Sequence, residues 1–460
     1  MDTTKDMQYD LIEKRAVLVG VRLPDTKRFE ESMRELEGLA EACGVEVVGT
    51  AEQNLRRIDS AFYIGKGKVE EIRAAADTLD ANMIIFNNTL SPSQLTNLGN
   101  ALELEIIDRT NLILNIFADR ARSGEAKMQV DYAKLKYMLP RLVGLRSNLS
   151  RQGGTAGSMS NRGAGEKKIE LDRRYIEKRM ALLRKNLNAL KKDRITQRKR
   201  RERSGIPLVS LVGYTNAGKS TLMNLMLKTF CSDEEKLVAE EDMLFATLDT
   251  SVRRIEPNHM KPFLLSDTVG FIDDLPTMLI DAFRSTLDEA LNADLILEVV
   301  DCSDPEYKEQ MRITEQTLAD LGAGSIPVIF IMNKADLVPD LKISQNAKTR
   351  ENTRPPNEGR DRTEDRMPGN AQTLPIVKDD RIWMSARYGT GLDELLQMID
   401  ARLNADSITC DLLIPYAESG LESRLRQTAV VHDCRYEAEG IIISATIDAA
   451  NYPRFEKYRK

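Results

Sequence analysis

The chain has 460 residues, 42% of them hydrophobic, which is more than one core normally serves and implies two to four domains. Its five cysteines, Cys43, Cys231, Cys302, Cys410 and Cys434, form no CxxC pair, and its two histidines, His259 and His432, lie far apart, which disfavours a disulfide framework, a zinc site and histidine-dependent nucleophilic catalysis. Net charge is −6, yet residues 144–203 carry 19 Lys and Arg against 6 Asp and Glu, a local +13 that leaves −19 elsewhere and points to an anionic partner, most commonly nucleic acid.

The opening MDTTKDMQYD has no basic or apolar leader region, and runs such as Ile326 to Met332 are too short to span a bilayer, so a soluble, cytoplasmic protein without stable membrane insertion is expected. From residue 15 to 122 short β-rich runs alternate with helical stretches. The runs are Ala16 to Val21, Val45 to Val48, Met83 to Phe86 and Leu104 to Ile107; the helices between them are Asp25 to Ala42, Gly67 to Leu79 and Pro92 to Ala101. This alternation predicts a parallel sheet covered on both faces. Gly65-Lys-Gly-Lys68 could hold a phosphate but lacks a full phosphate-loop spacing, which favours a plain strand-to-helix turn.

Residues 126–203 read as an antiparallel helical hairpin. Met128, Tyr132, Leu135, Leu139 and Leu142 repeat at steps of four and three, as do Ile176, Met180, Leu183, Leu187 and Leu190, the seam of a two-helix coiled coil. Pro140 should kink or terminate the first helix. Between the helices lies a Gly- and Ser-rich stretch, residues 144–165, with Arg146, Arg151 and Arg162 and no acid. Its composition predicts disorder until an RNA partner binds. Further on, residues 342–373 are polar and read as a disordered surface insertion. Thr409 to Pro415, Gly420 to Ala429 and Gly440 to Ile447 read as strand, helix and strand of a small α/β tail.

The chemistry lies between these parts. The strand Ile206 to Val212 runs into Gly213-Tyr214-Thr215-Asn216-Ala217-Gly218-Lys219-Ser220, followed by a helix from Ser220 to Leu227. In that context the backbone N–H groups surround phosphate oxygens, Lys219 reaches the β and γ phosphates and Ser220 ligates Mg²⁺. Asp267-Thr268-Val269-Gly270 follows a second apolar run; the carboxylate can meet the metal through water and the Gly270 N–H the γ-phosphate. Asn333-Lys334-Ala335-Asp336 and Ser385-Ala386-Arg387 complete a guanine site. Asp336 accepts from guanine N1–H and its amine, Asn333 and Lys334 brace the base, and the Ala386 N–H meets O6. Adenine would leave that carboxylate unpaired, so the nucleotide is GTP or GDP rather than ATP. Phe245-Ala246-Thr247-Leu248-Asp249-Thr250 offers Thr247 and Thr250 as the second protein ligand of Mg²⁺, and chemistry alone leaves both open. Position 271, directly after the DxxG glycine, carries Gln in Ras-type enzymes and Phe here, which predicts slow unassisted hydrolysis. Asn216 is a candidate ligand for an assisting cation.

The N-terminal α/β region, the hairpin tip RQGGTAGSMSNRGAGE followed by KKIELDRR, and GYTNAGKS, FATLD, DTVGFI and NKAD together resemble the HflX family of ribosome-associated GTPases, within the Era-like group. The resemblance covers nearly the whole chain. It implies that Thr247 is the Mg²⁺ and γ-phosphate residue, that Asn216 is similar to the asparagine of potassium-stimulated relatives, and that Lys219, Thr247 and Gly270 carry the catalysis. It also implies GTP-dependent binding to the large (50S) ribosomal subunit and its rRNA, and splitting of stalled ribosomes. Thr250 stands where a proline commonly follows FATLD, the 342–373 insertion is atypically long, and Arg387 replaces the usual lysine. The resulting expectation is a monomeric multi-domain α/β protein. Residues 1–125 form an α/β domain, 126–203 the basic hairpin, 204–405 a doubly wound P-loop GTPase domain and 406–460 a small C-terminal domain. Alternatives are an ATP-dependent RNA helicase using Gly65 to Lys68, and an RNA-binding assembly factor whose fold nucleotide merely stabilises.

Overall fold

The computed structural model describes residues 14–151, 159–230, 245, 251–257, 260–268, 270–273, 291–339, 341–343, 372–405, 407–448 and 451–460. The fold is mixed α/β, with a parallel N-terminal sheet, a helical region, a seven-stranded mostly parallel sheet and a small antiparallel sheet. It separates into two compact units near Leu190.

In the first unit the strands β1 (Arg15–Arg22), β2 (Glu46–Asn54), β3 (Met83–Phe86) and β4 (Glu105–Asp108) form one parallel sheet in the order β2-β1-β3-β4. The centres of β1 and β3 are buried on both faces, as their uninterrupted apolar sequences require. Helix α1 (Phe29–Ala42) buries Phe29, Met33, Leu36, Leu39 and Ala40 at helical spacing. Helix α2 (Lys66–Leu79) begins at Gly65, whose N–H donates to Gln53 Oε1 (2.9 Å), while Lys68 pairs with Glu71 (2.7 Å). That segment is the turn into α2, with the Gly65 N–H and the Lys68 ammonium already engaged. Helix α3 (Pro92–Leu102) starts on a reciprocal capping box between Ser91 and Gln94, with Pro92 at its first position.

Helix α4 (Arg109–Arg120) follows β4 directly, where the sequence pattern predicts no helix. Asp108 caps it by accepting from Asn111 N (2.8 Å), and the run from Leu112 to Phe117 is almost wholly buried.

The hairpin helices are α5 (Gly124–Arg151) and α6 (Met159–Ser204), with residues 152–158 of the expected tip outside the described residues. Ala126, Val130, Ala133 and Tyr137 are buried where α5 packs on α3 and α4. The other side of α5 holds the expected seam, with Met128, Tyr132, Leu135, Leu139 and Leu142 half-buried, and on α6 Ile176 and Leu183 are buried. Arg179 of α6 bridges Asp131 of α5 (3.2 Å).

Pro140 does not end α5, which continues to Arg151. Contacts on either side of the missing N–H hold the helix in place. Tyr137 Oη donates to the buried Asp108 (2.7 Å), and Arg141 donates to Asp108 (3.1 Å), Leu90 O (3.2 Å) and Tyr137 O (2.7 Å). One lost backbone bond is a smaller term than this charge-assisted cluster.

The second unit contains β5 (Leu208–Val212), α7 (Lys219–Phe230), β6 (Val252–Ile255), β7 (Phe263–Asp267), β8 (Leu295–Asp301), α8 (Tyr307–Leu321) and β9 (Val328–Asn333). It continues through the short strands β10 (Leu341–Ile343), β11 (Gln372–Leu374), β12 (Ile376–Lys378) and β13 (Arg381–Trp383) to α9 (Leu392–Leu403). The main sheet runs β12-β13-β9-β8-β5-β7-β6, parallel except at its two outer pairs, β12 with β13 and β6 with β7. Val209, Leu211, Leu297, Val299, Ile329 and Ile331 pack on one face against α7 and α9. Val212, Ile296 and Leu318 pack on the other. The ends of the supposed insertion are ordered, because β10 and β11 pair in parallel; residues 344–371 lie outside the described residues.

The tail has the expected strand, helix and strand, and adds a third strand to make an antiparallel sheet. Strands β14 (Ser407–Ile414), β15 (Ala429–Glu437) and β16 (Gly440–Asp448) lie in the order β14-β16-β15, with helix α10 (Gly420–Thr428) packed on β15. The unforeseen β15 closes a hairpin onto β16, and antiparallel pairing follows from so short a connection.

Candidate nucleotide site

The motif residues converge at the carboxyl ends of β5, β7, β9 and β13, the edge at which parallel α/β sheets bind ligands. Leaving β5, Gly213 has φ 141°, and a Cβ there would lie 2.2 Å from Val299 O on β8, so only glycine fits. Asn216 (φ 59°) and Gly218 (φ 95°) are left-handed, and Ala217 between them is fully buried. Successive N–H groups in such a turn form an anion-binding concavity at the start of α7, where the helix dipole adds positive potential.

Lys219 is only 7% exposed, and its Nζ donates to Gly213 O (3.0 Å) and Tyr214 O (2.6 Å). Burial lowers its ammonium to about 8, against the opposing charge of Asp267. Phosphate oxygens would restore the charged form. Ser220 Oγ donates to Asp267 Oδ2 (3.3 Å), pairing a hydroxyl and a carboxylate where β7 meets α7. This hard-oxygen donor set suits Mg²⁺, which keeps most of its coordination for water and phosphate. Among the described residues no cluster of three His, Cys, Asp or Glu is placed to hold a metal by itself. Thr268 is tied down by its hydroxyl to Leu211 O (2.7 Å).

Gly270 lies against the phosphate loop. A Cβ on it would be 2.7 Å from Thr215 Cγ2, 2.9 Å from Thr215 Cα and 3.1 Å from Lys219 Nζ. A short parallel bridge holds this arrangement: Thr215 N donates to Phe271 O (2.8 Å), and Phe271 N donates to Gly213 O (3.1 Å). Asp273 N donates to the Tyr214 hydroxyl (2.8 Å). The Phe271 ring is buried with Leu208, Val212, Ala293 and Ile296, so the residue in the place of the Ras-type glutamine faces the core.

Asn333 joins three motifs. Its Nδ2 donates to Ala217 O (2.9 Å) and its Oδ1 accepts from Ala386 N (2.9 Å), while a Cβ at Gly218 would lie 2.2 Å from its amide nitrogen. The Ala386 N–H, expected to meet the base, is thus engaged by Asn333, and recognition of O6 there requires a shared or shifted bond. Ala335 N donates to Met384 O (3.2 Å), which places Asp336, half-buried, beside the segment from Ser385 to Arg387. Ser385 is buried and its N–H donates to Thr390 O (3.1 Å); Arg387 is exposed.

Lys334 has φ 57° and its Nζ meets Asp301 Oδ2 (2.8 Å). Sequence reasoning missed Asp301. Its signal was an acid ending a buried strand, as Asp267 does. The Tyr214 hydroxyl bond was equally invisible, because it joins segments 59 positions apart. Ala246, Thr247, Leu248, Asp249 and Val269 lie outside the described residues.

A family described as GTP-binding GTPase N-terminal matches residues 30–118, a GTP-binding GTPase middle region matches 120–201, and a 50S ribosome-binding GTPase matches 208–334. The GTPase HflX of Caldanaerobacter subterraneus subsp. tengcongensis is 39% identical over 435 residues, covering 95% of this chain and 91% of that protein. The GTPase HflX of Escherichia coli is 36% identical, covering 95% and 93%. Among solved structures, a GTP-binding protein from Sulfolobus solfataricus in complex with GDP is 23% identical, covering 85% of this chain and 99% of that one with a TM-score of 0.42.

Proposed function

Since the chain belongs to the HflX family of GTPases and hydrolyses GTP, we propose that it is a GTP-dependent factor of the large (50S) ribosomal subunit that splits stalled ribosomes. The observation that carries this reading is the continuity of α6. The helix bearing most of the local positive charge ends at Ser204, four residues before the strand that enters the phosphate loop. Its lysines and arginines suit rRNA phosphates, and the Gly-rich tip with Arg146, Arg151 and Arg162 suits an irregular RNA surface.

In the nucleotide site, the N–H groups from Gly213 to Ser220 and the Lys219 ammonium bind the β and γ phosphates. Ser220 and Thr247 would hold Mg²⁺, with Asp267 behind Ser220. The metal, when bound, neutralises charge between the β and γ phosphates. The Gly270 N–H bonds a γ-phosphate oxygen and so reports its presence. Asp336 reads the guanine N1–H and amine; Asn333 and Lys334 brace that site, the latter held by Asp301. With Phe271 in the core, unassisted hydrolysis is slow, and the Asn216 amide oxygen supplies a ligand for a potassium ion that assists it.

The test is sedimentation of intact ribosomes with protein and GTP. Deleting Gly153 to Gly163 should abolish dissociation into subunits while GTP affinity stays nearly intact. Normal splitting by that variant would favour an assembly factor instead.

A further inference from the structure

Thr215 carries a hydroxyl that the fold leaves without a partner. The residue is 7% exposed, and its Oγ1 is buried with no hydrogen bond. Two buried hydroxyl pairs near it are satisfied, Ser210 with Ser266 (2.8 Å) and Thr268 with Leu211 O (2.7 Å), whereas Ser251, Ser385 and Thr390 also carry unbonded buried hydroxyls. An unbonded buried hydroxyl is costly, and proteins keep one where a ligand completes it.

Its surroundings indicate which ligand. Thr215 Cγ2, Thr215 Cα and Lys219 Nζ all lie within 3.1 Å of the single point where a Gly270 Cβ would sit. Thr215 therefore shares a compartment with the two groups that hold the γ-phosphate. Its backbone is fixed there through Phe271 O, while the Phe271 ring is turned into the core and offers no hydrogen bond. Among the described residues Phe271 thus supplies no amide of the Ras type, while the Thr215 hydroxyl is borne on the same Cβ as the methyl that faces Gly270.

We infer that the Thr215 hydroxyl is a catalytic residue for GTP hydrolysis, orienting the attacking water beside the γ-phosphate. This rests on the GTPase reading of the site. The water oxygen forms a bond to Pγ, the bond from Pγ to the β,γ-bridging oxygen breaks, and its electron pair leaves with GDP. The water proton ends on the released phosphate. Thr215 accepts a hydrogen bond from the water, donates its own hydrogen to a γ-phosphate oxygen, and keeps its proton throughout.

The experiment compares Thr215→Val, which preserves shape without the hydroxyl, with Thr215→Ser, which preserves the hydroxyl. Single-turnover GTP hydrolysis, GDP affinity and affinity for GDP with aluminium fluoride are measured on the full chain. Thr215→Val should lower the rate by about 100- to 1000-fold, as removing one oriented transition-state partner does, and weaken the aluminium fluoride complex in proportion. GDP affinity should stay within about twofold, on the argument that GDP lacks the group concerned. Thr215→Ser should keep most of the rate. An unchanged rate in Thr215→Val, a parallel loss of GDP affinity, or a Ser variant as slow as the Val variant would each overturn the proposal. Failure of the parent chain to bind or hydrolyse GTP would instead strike the GTPase reading itself.

Discussion

Gly270→Ala separates recognition of the γ-phosphate from recognition of the rest of the nucleotide. The added methyl would sit 2.7 Å from Thr215 Cγ2 and 2.9 Å from Thr215 Cα, where ordinary contact begins at 3.4 Å. Thr215 cannot yield readily, since its N–H is held by Phe271 O and its residue belongs to the buried phosphate loop. The segment bearing Gly270 must therefore retreat by about 0.7 Å. A shift of that size takes an N–H···O bond of roughly 2.9 Å beyond the range of a useful hydrogen bond. A hydrogen bond to a charged group contributes about 1.5–3 kcal/mol, so GTP affinity should fall by roughly 10- to 150-fold. GDP affinity should be almost unchanged. Titration with fluorescent GDP and a non-hydrolysable GTP analogue measures both. Equal losses for the two nucleotides, or none for either, would refute the placement of Gly270 over the γ-phosphate.

The ammonium of Lys219, lowered to about 8 by burial, should make nucleotide binding take up a proton above that pH. Affinity for GDP should be flat below about pH 7 and fall by up to about tenfold per unit above 8, and a flat profile to pH 9.5 would contradict it. Glu298 is 1% exposed with neither carboxylate oxygen bonded, and burial, with Glu315 adding and Arg381 opposing, raises it from 4.5 to about 8. The folded chain keeps this proton where the unfolded chain has lost it. Its contribution to stability is complete below about pH 4.5, declines by roughly 1.4 kcal/mol per unit and is gone above about pH 8. Glu298→Met should remove that slope and stabilise the chain at pH 8, and denaturation midpoints with parallel pH profiles would refute this. Potassium should accelerate GTP hydrolysis over sodium at matched ionic strength, and equal rates would leave Asn216 with a structural role only.

The N-terminal sheet was legible because strands buried on both faces, such as Met83 to Phe86, have no polar residue to confuse their period. The phosphate and base motifs were legible for a different reason. A Cβ at Gly213 or Gly218 would lie 2.2 Å from a neighbour, and Asn333 bonds Ala217 O at 2.9 Å, so their types are nearly obligatory. Helix α4 escaped because Leu112 to Phe117 is a short apolar run with no period of its own. Of the two outcomes expected at Pro140, termination does not occur, and local sequence holds no trace of Asp108, the distant carboxylate that fastens Tyr137 and Arg141. Strand β15 escaped because its exposed His432, Asp433, Arg435 and Glu437 read as loop. The unbonded Thr215 hydroxyl is a property of packing, and no motif reports it.

The central claim is that nucleotide state governs engagement with the large ribosomal subunit. It is tested most directly by co-sedimenting the full chain with isolated large subunits in GDP, GTP and a non-hydrolysable GTP analogue. The account predicts tight association with the analogue, release with GDP, and turnover-dependent release with GTP. Equal association in all three nucleotides would contradict it.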